Sequence, residues 1–119
     1  MKLKYIGPSQ MLSLTNGKIY ECISVEEDLV RVIDDEELIN NESEELQNAI
    51  LNKCTDFGYL YSILTPNPSD SSEYGVWEII EDSRDRILQN TINKCIENYE
   101  SKGNKFNEFK QNIISQYHM

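Results

Sequence analysis

The chain has 119 residues and a formal net charge of −10, from 21 acidic and 11 basic side chains. This length predicts one domain with a single core that needs no disulfide or metal. The acidic balance argues against direct binding to nucleic acid or to anionic membranes, since both require a basic surface. No apolar run is long enough to span a membrane, and the N-terminus lacks the pattern of a signal peptide, so we expect a cytoplasmic protein.

The negative charge is concentrated in one part of the chain. Residues 26–45 carry ten acidic side chains against Arg31 alone, which leaves nine net negative charges. Residues 83–119 carry six basic and four acidic side chains, a net charge of two positive. The acidic segment therefore predicts a surface that attracts basic partners.

The first part of the chain predicts a short strand and then a β-hairpin. Residues 2–6 alternate polar and apolar side chains, and residues 18–25 and 29–34 are rich in β-branched and aromatic residues. Both faces of the hairpin carry apolar residues, so we expect it to be covered on both sides, as in a small curved barrel. The turn at 26–28 lacks Gly and Asn, which favours a loop of about three to five residues over a primed two-residue turn.

Residues 36–55 are predicted to insert a helix after the hairpin. Asn41 and Glu44 have the spacing of a capping box at the start of that helix. Leu46, Ala49 and Ile50 share one face at helical spacing, and we expect this face to dock on the sheet.

Two further strands are predicted at residues 59–64 and 76–80. A polar loop with two prolines, at 65–72, separates them, and we expect this loop to be mobile.

A helical hairpin is predicted at 83–119. Asp82 or Ser83 caps a first helix that ends near residue 102, Gly103 suits the left-handed position after it, and Asn104 caps a second helix. Both helices carry an apolar stripe. The predicted organisation is a core at 1–82, with the insertion at 36–55, and a C-terminal hairpin at 83–119 that packs on the core or extends from it.

Four short motifs resemble those of a known family. They are Leu14-Thr15-x-Gly17-Lys18-x-Tyr20, Arg31-Val32-Ile33-Asp34-Asp35, Gly58-Tyr59-Leu60-Tyr61 and Trp77-Glu78-Ile79-Ile80-Glu81-Asp82. In this order they resemble small, mostly uncharacterised SH3-like barrel proteins of Gram-positive bacteria and their phages. The resemblance covers about residues 2–34 and 56–82, and the segments 36–55 and 83–119 lie outside it. It implies a small SH3-like β-barrel. Together with the helices predicted from the residues, the expected fold is an α+β protein with a mainly β core, in which the barrel carries an inserted helix and a C-terminal helical hairpin. It implies no catalytic residues.

The sequence offers few candidate residues for catalysis or metal binding. Cys22, Cys54 and Cys95 are odd in number and widely spaced, and His118 is the single histidine. This set has too few ligands for zinc and places no base beside a nucleophile, so we expect reduced thiols. The acids at 34–37 lack the alternation and central Gly of an EF-hand loop, and a solvated face is the favoured interpretation. We therefore predict no cofactor, no metal and no enzymatic activity.

The strand aromatics permit two interpretations. SH3 domains bind proline-rich peptides in an aromatic groove beside acidic loops. Alternate residues of a strand must face inward, however, and the favoured interpretation is that Trp77 and either Tyr59 or Tyr61 are core or helix-contact residues. The predicted protein-binding surface includes both the acidic residues and the strand aromatics. It comprises Glu26, Glu27, Asp28, Asp35, Glu36, Glu37, Tyr59, Tyr61 and Trp77.

The sequence thus predicts a non-enzymatic interaction module for a basic protein partner. One alternative is a phage-type inhibitor that mimics nucleic acid and occupies a basic surface of its target. Another is a structural protein that forms homo-oligomers through the apolar stripes of the two C-terminal helices.

Overall fold

The computed structural model describes residues 1–9, 13–66, 75–103 and 105–117. These residues form an α+β structure, as predicted, with five strands and four helices. The elements in chain order are β1 Lys2–Ile6, β2 Ile19–Glu26, β3 Leu29–Val32, α1 Asp35–Asn40, α2 Ser43–Leu51, β4 Tyr59–Ser62, β5 Val76–Glu81, α3 Ile87–Glu100 and α4 Phe106–Tyr117. Most of the predicted loop at 65–72, the predicted cap Asn104 and His118 lie outside the described residues.

The strands form one antiparallel sheet in the order β4-β3-β2-β1-β5. Among the described residues β4 and β5 do not pair with each other, so the sheet is open and the prediction of a closed barrel is wrong. The two edges are nevertheless close, because the indole N–H of Trp77 on β5 donates to the Ser62 carbonyl on β4 at 3.1 Å. A side chain spans the gap where a closed barrel would carry a backbone ladder.

The hairpin turn is tighter than predicted. Glu26 pairs with Leu29, which leaves a two-residue turn of Glu27 and Asp28. Glu27 has a φ of +59°, the left-handed conformation that usually favours Gly or Asn. The prediction of a longer loop is therefore wrong, because a glutamate adopts the left-handed conformation that the prediction expected only of Gly or Asn.

The sheet is covered on both faces, as expected for the hairpin. Tyr20, Cys22 and Val32 lie in the main core, where Leu88 and Ile92 of α3 cover them. On the opposite face, Leu46 of α2 packs on residues of the hairpin. That second cluster is made of Ile23, Ile33 and Leu46, with Ile50 and Phe57 against it. The prediction that the insertion docks on the sheet is confirmed by this contact.

The insertion contains two helices where one was predicted. Asn41 has an extended backbone and ends α1, with its N–H bonded to the Glu37 carbonyl. Helix α2 starts after Glu42, which makes no side-chain capping bond. The predicted capping box is therefore wrong, since Asn41 serves the end of one helix rather than the start of the next.

The C-terminal helices form the predicted hairpin and pack on the sheet. Phe106 and Ile113 of α4 bury Ile6 of β1 and Val76 of β5. Gly103 after α3 has a φ of +87°, as its predicted left-handed position requires.

Helix α3 begins at Ile87, three residues later than predicted. The Asp82 carboxylate nevertheless caps it, and accepts the N–H groups of Leu88 and Gln89 at 3.0 Å each. Within the described ranges, the model contains no helix with the length and apolar character needed to cross a membrane.

Candidate protein-binding surface

Asp35, one of the predicted binding residues, is held in a network of motif residues. Its carboxylate accepts hydrogen bonds from Lys18 Nζ at 2.7 Å, Thr15 Oγ1 at 2.8 Å and Tyr20 Oη at 3.0 Å. Burial is the largest single influence and raises the pKa of Asp35, but these bonds and the Lys18 charge together outweigh it and lower the pKa overall. Asp35 therefore ties the start of β2 to the start of α1, and its oxygens are already engaged.

Asp34 and Tyr61 form a second structural pair. Asp34 is buried and accepts the Tyr61 hydroxyl at 2.6 Å and the Glu37 N–H at 3.1 Å, so it also caps α1. Burial, together with the hydrogen bond and charge of Asp34, raises the pKa of Tyr61. The Tyr61 hydroxyl is thus hydrogen-bonded inside the protein.

Trp77 lies at the centre of the main core. It is 2% exposed and meets Tyr5, Tyr20 and Tyr61 edge-on, with ring centroids 5.8, 6.5 and 6.2 Å away. Its place in the predicted binding surface is therefore corrected, because a buried indole has no face to offer a partner. The core interpretation, which the strand alternation favoured, describes Trp77.

Two of the predicted acidic residues are occupied by contacts within the chain. Glu26 Oε2 accepts Arg31 Nε at 2.7 Å, and this hydrogen bond, the largest influence, lowers the pKa of Glu26. Glu37 accepts the N–H of Gly58 at 3.1 Å and the side-chain amide of Asn41 at 2.7 Å. Glu26 thus joins β2 to β3, and Glu37 joins α1 to Gly58, the residue before β4.

Of the remaining predicted residues, three are exposed and Glu36 is half-buried. Glu27 and Asp28 are exposed at the hairpin turn, and Tyr59 is 44% exposed on the edge strand β4. The negative charge of Glu36, followed by burial and by the charges of Glu37 and Asp34, raises the pKa of Tyr59. Glu36, Tyr59 and the neighbouring exposed Leu60 are together called the Tyr59 surface below.

The structure also forms a cleft that sequence reasoning missed. It lies between the outer face of β2 and the inserted helices, with a volume of about 320 Å³. Ile19 and Leu38 line it and are 49% and 45% exposed, so the mouth of the cleft presents two apolar side chains to solvent. Its lining is Ile19, Tyr20, Glu21, Ile33, Leu38, Ser43, Leu46, Gln47 and Ile50. The available signal was a pair of apolar residues, Leu38 and Ile39, in the midst of the acidic segment. We call this feature the insertion cleft.

The cysteines offer little chemistry. All three are free thiols, and Cys22 is buried. Burial raises the pKa of Cys22 to about 11, so it stays a thiol at neutral pH and is a poor nucleophile. In the described part of the chain, no group of three or more His, Cys, Asp or Glu is arranged to hold a metal ion.

Comparison of the chain with protein-family models, with curated proteins and with solved structures finds no match.

Proposed function

We propose that this chain is a non-enzymatic interaction module that binds a basic segment of another protein through the Tyr59 surface. The observation that carries the proposal is the placement of a half-exposed tyrosine on an edge strand, within the field of the Glu36, Glu37 and Asp34 carboxylates. An aromatic ring beside negative charge suits lysine and arginine, whose stems pack on the ring while the cation meets a carboxylate.

The distribution of engaged and open acids supports this choice of surface. Asp35, Glu26 and Glu37 already bond to groups of the chain itself. Among the described residues, the carboxylate of Glu36 has no hydrogen bond or ion pair, so it keeps its charge available for a partner. The edge position of β4 adds backbone groups that an extended segment could pair with.

The proposal includes the SH3-like assignment and a cytoplasmic setting. Hydrogen bonds among motif residues support the assignment: Tyr61 of β4 donates to Asp34, and Asp35 of α1 accepts a bond from β2. The hydrogen bond from Trp77 of β5 to β4, which links the two edge strands, supports it as well. Three free cysteines suit a reducing compartment.

Self-association through the C-terminal helices gains no support from the packing. Ile92 of α3 and Phe106 and Ile113 of α4 are buried within the chain, and Phe109 packs beside them. The apolar stripes that suggested an oligomer are thus used to cover the sheet. We therefore place a basic protein partner first.

The test is capture of partners from a lysate of the source cells, with the chain immobilised at low salt. We expect one stoichiometric protein, released at a defined salt step, to bind the wild type and to be lost by Glu36→Gln combined with Tyr59→Ala. The matched control is Glu97→Gln combined with Ile87→Ala, which also removes one carboxylate and one exposed apolar side chain, from α3. Equal capture by both double variants, or a mixture of basic proteins with no defined salt step, would contradict the proposal.

A further inference from the structure

The insertion cleft has an apolar floor that the chain itself does not cover. Leu46 and Ile33 form its buried part and Ile50 is half-buried, while Ile19 and Leu38 remain about half exposed at its mouth. Its volume of about 320 Å³ lies at the lower end of the range of ligand sites in proteins. This is room for a few apolar side chains rather than for a large cofactor.

The surroundings of the cleft are strongly acidic. The inserted helices, residues 35–51, carry six acidic side chains and no Lys or Arg. Glu21 lines the cleft itself. Three lysines lie at this end of the sheet: Lys18 pairs with Asp35 at 2.7 Å, Lys2 pairs with Glu21 at 3.8 Å, and Lys4 lies opposite Ile19 in the β1–β2 register. An apolar cleft with this rim matches a segment whose apolar side chains are flanked by basic ones.

The position of the cleft decides the conformation of such a segment. The cleft opens onto β2, which lies between β1 and β3 in the sheet. No sheet edge is open there, so an added strand would find no ladder to extend. A segment that satisfies its own backbone hydrogen bonds, which is an α-helix, can enter with side chains alone.

We infer that the insertion cleft is the docking site for a basic amphipathic helix of the partner protein. The helix places leucine-like side chains between Ile19 and Leu38, and its lysines and arginines face the acidic rim. This inference rests on the proposed function and adds to it a second contact area, beside the Tyr59 surface, with its own residues.

The test uses a synthetic peptide of roughly 14 leucine and lysine residues with a helical leucine stripe, and a scrambled peptide of the same composition. Methyl NMR spectra of the full chain are recorded during titration at low salt. We expect saturable shifts at Ile19, Ile33, Leu38 and Ile50 with the striped peptide, and only weak, general shifts with the scrambled one. Striped-peptide affinity should fall about tenfold in Leu38→Gln, since one buried leucine contact is worth about 1.4 kcal/mol.

The matched control is Leu51→Gln, which changes a residue of the same insertion that is 79% exposed and does not line the cleft. The inference would be overturned if both variants lost the same affinity for the striped peptide, or if both peptides shifted the cleft methyls equally. It would also be overturned if the cleft methyls shifted with protein concentration in the absence of peptide, because a second copy of the chain would then occupy the cleft. Shifts confined to the Leu60 methyls would refute the cleft but leave the proposed function intact. Absence of any shift would count against both.

Discussion

At the scale of single residues, the acidic side chains divide into two groups with different tasks. Asp34, Asp35 and Asp82 accept hydrogen bonds that join separate elements of the fold. Glu27 and Asp28 extend from the surface instead, and Glu36 is half-buried. A carboxylate that accepts several N–H or O–H bonds is stabilised in its charged form, and the lowered pKa values of Asp35 and Asp82 therefore link folding stability to pH.

Acid should weaken the fold through Asp82. Burial is the largest influence and raises the pKa of Asp82, but the N–H groups of Gln89, Leu88 and Ser83 and the Arg86 charge lower it overall. A lowered folded pKa adds stability above the unfolded value near 3.9, and this is lost as pH falls through the folded pKa. Asp82→Asn keeps one acceptor oxygen but removes the negative charge and the second acceptor at the start of α3, and should cost about 1 kcal/mol at pH 7.

The measurement is urea unfolding from pH 7 to pH 2, in which the gap between wild type and Asp82→Asn should narrow at the acid end. Asp85→Asn, the same change three residues away at an exposed position, should leave the unfolding curve close to wild type throughout. A gap that stays constant with pH would show that the Asp82 charge is not the cause.

Replacement of Lys53 by glycine should stabilise the protein. It follows α2 with a φ of +50°, and Cys54 donates its N–H to the Ala49 carbonyl at 2.9 Å in the same turn. A side chain in this left-handed conformation costs about 1 kcal/mol. Lys53→Gly should therefore raise the free energy of unfolding by up to about that amount, measured by urea denaturation.

The control for this helix end is Asn52→Gly. Asn52 has a φ of −94°, and its side-chain amide donates to the Asn48 carbonyl at 2.9 Å. Glycine there brings no relief of backbone strain and removes a bond, so it should destabilise the protein. Stabilisation by both substitutions would refute the argument from Lys53.

At the scale of elements, the approach of the two edge strands depends on one side chain. Trp77 of β5 fills the core and donates its indole N–H to Ser62 of β4. Trp77→Phe keeps an aromatic ring but leaves the Ser62 carbonyl without that donor, so we expect a loss of about 1–3 kcal/mol in urea unfolding. Amides of β4 should also exchange faster with deuterium, because that strand loses its link to β5.

Tyr59→Phe tests whether this effect is specific to the edge contact. Tyr59 lies on β4 but is 44% exposed, and removal of its hydroxyl should change the free energy of unfolding by less than about 0.5 kcal/mol. If Trp77→Phe left β4 exchange at the wild-type rate, the indole bond would not be what holds the two edges together.

At the scale of the whole molecule, the C-terminal helices complete the core of the sheet. Leu88 and Ile92 belong to the same cluster as Trp77, and Phe106 and Ile113 cover Ile6 and Val76. Their removal would expose a continuous apolar surface to water, which a short chain cannot offset.

A chain that ends at residue 82 should therefore fail to fold by itself. We expect no cooperative thermal transition by circular dichroism and poor dispersion in its NMR spectrum, with a full-length sample as the control. Addition of a separate 83–119 peptide should restore part of the dispersion if the two parts meet through the described contacts. A cooperative transition of residues 1–82 alone would show that this part of the chain folds without the C-terminal helices.

Much of the fold follows from local sequence patterns. Alternation and helical spacing predicted all five strands and both C-terminal helices, and Asp82 and Gly103 were predicted to cap the two ends of α3. These features depend on residues close in sequence, so a linear pattern contains the information.

The sequence by itself determined an α+β protein with a hairpin covered on both faces and with its negative charge concentrated in one segment. Only the tertiary structure decided that the sheet stays open, that Trp77 is core, and that Glu26 and Glu37 are engaged while Glu36 is not. The insertion cleft also belongs to the second group, because Ile19 and Leu38 are 19 positions apart in the chain. Burial and pairing depend on which distant residues meet, and no local period records that.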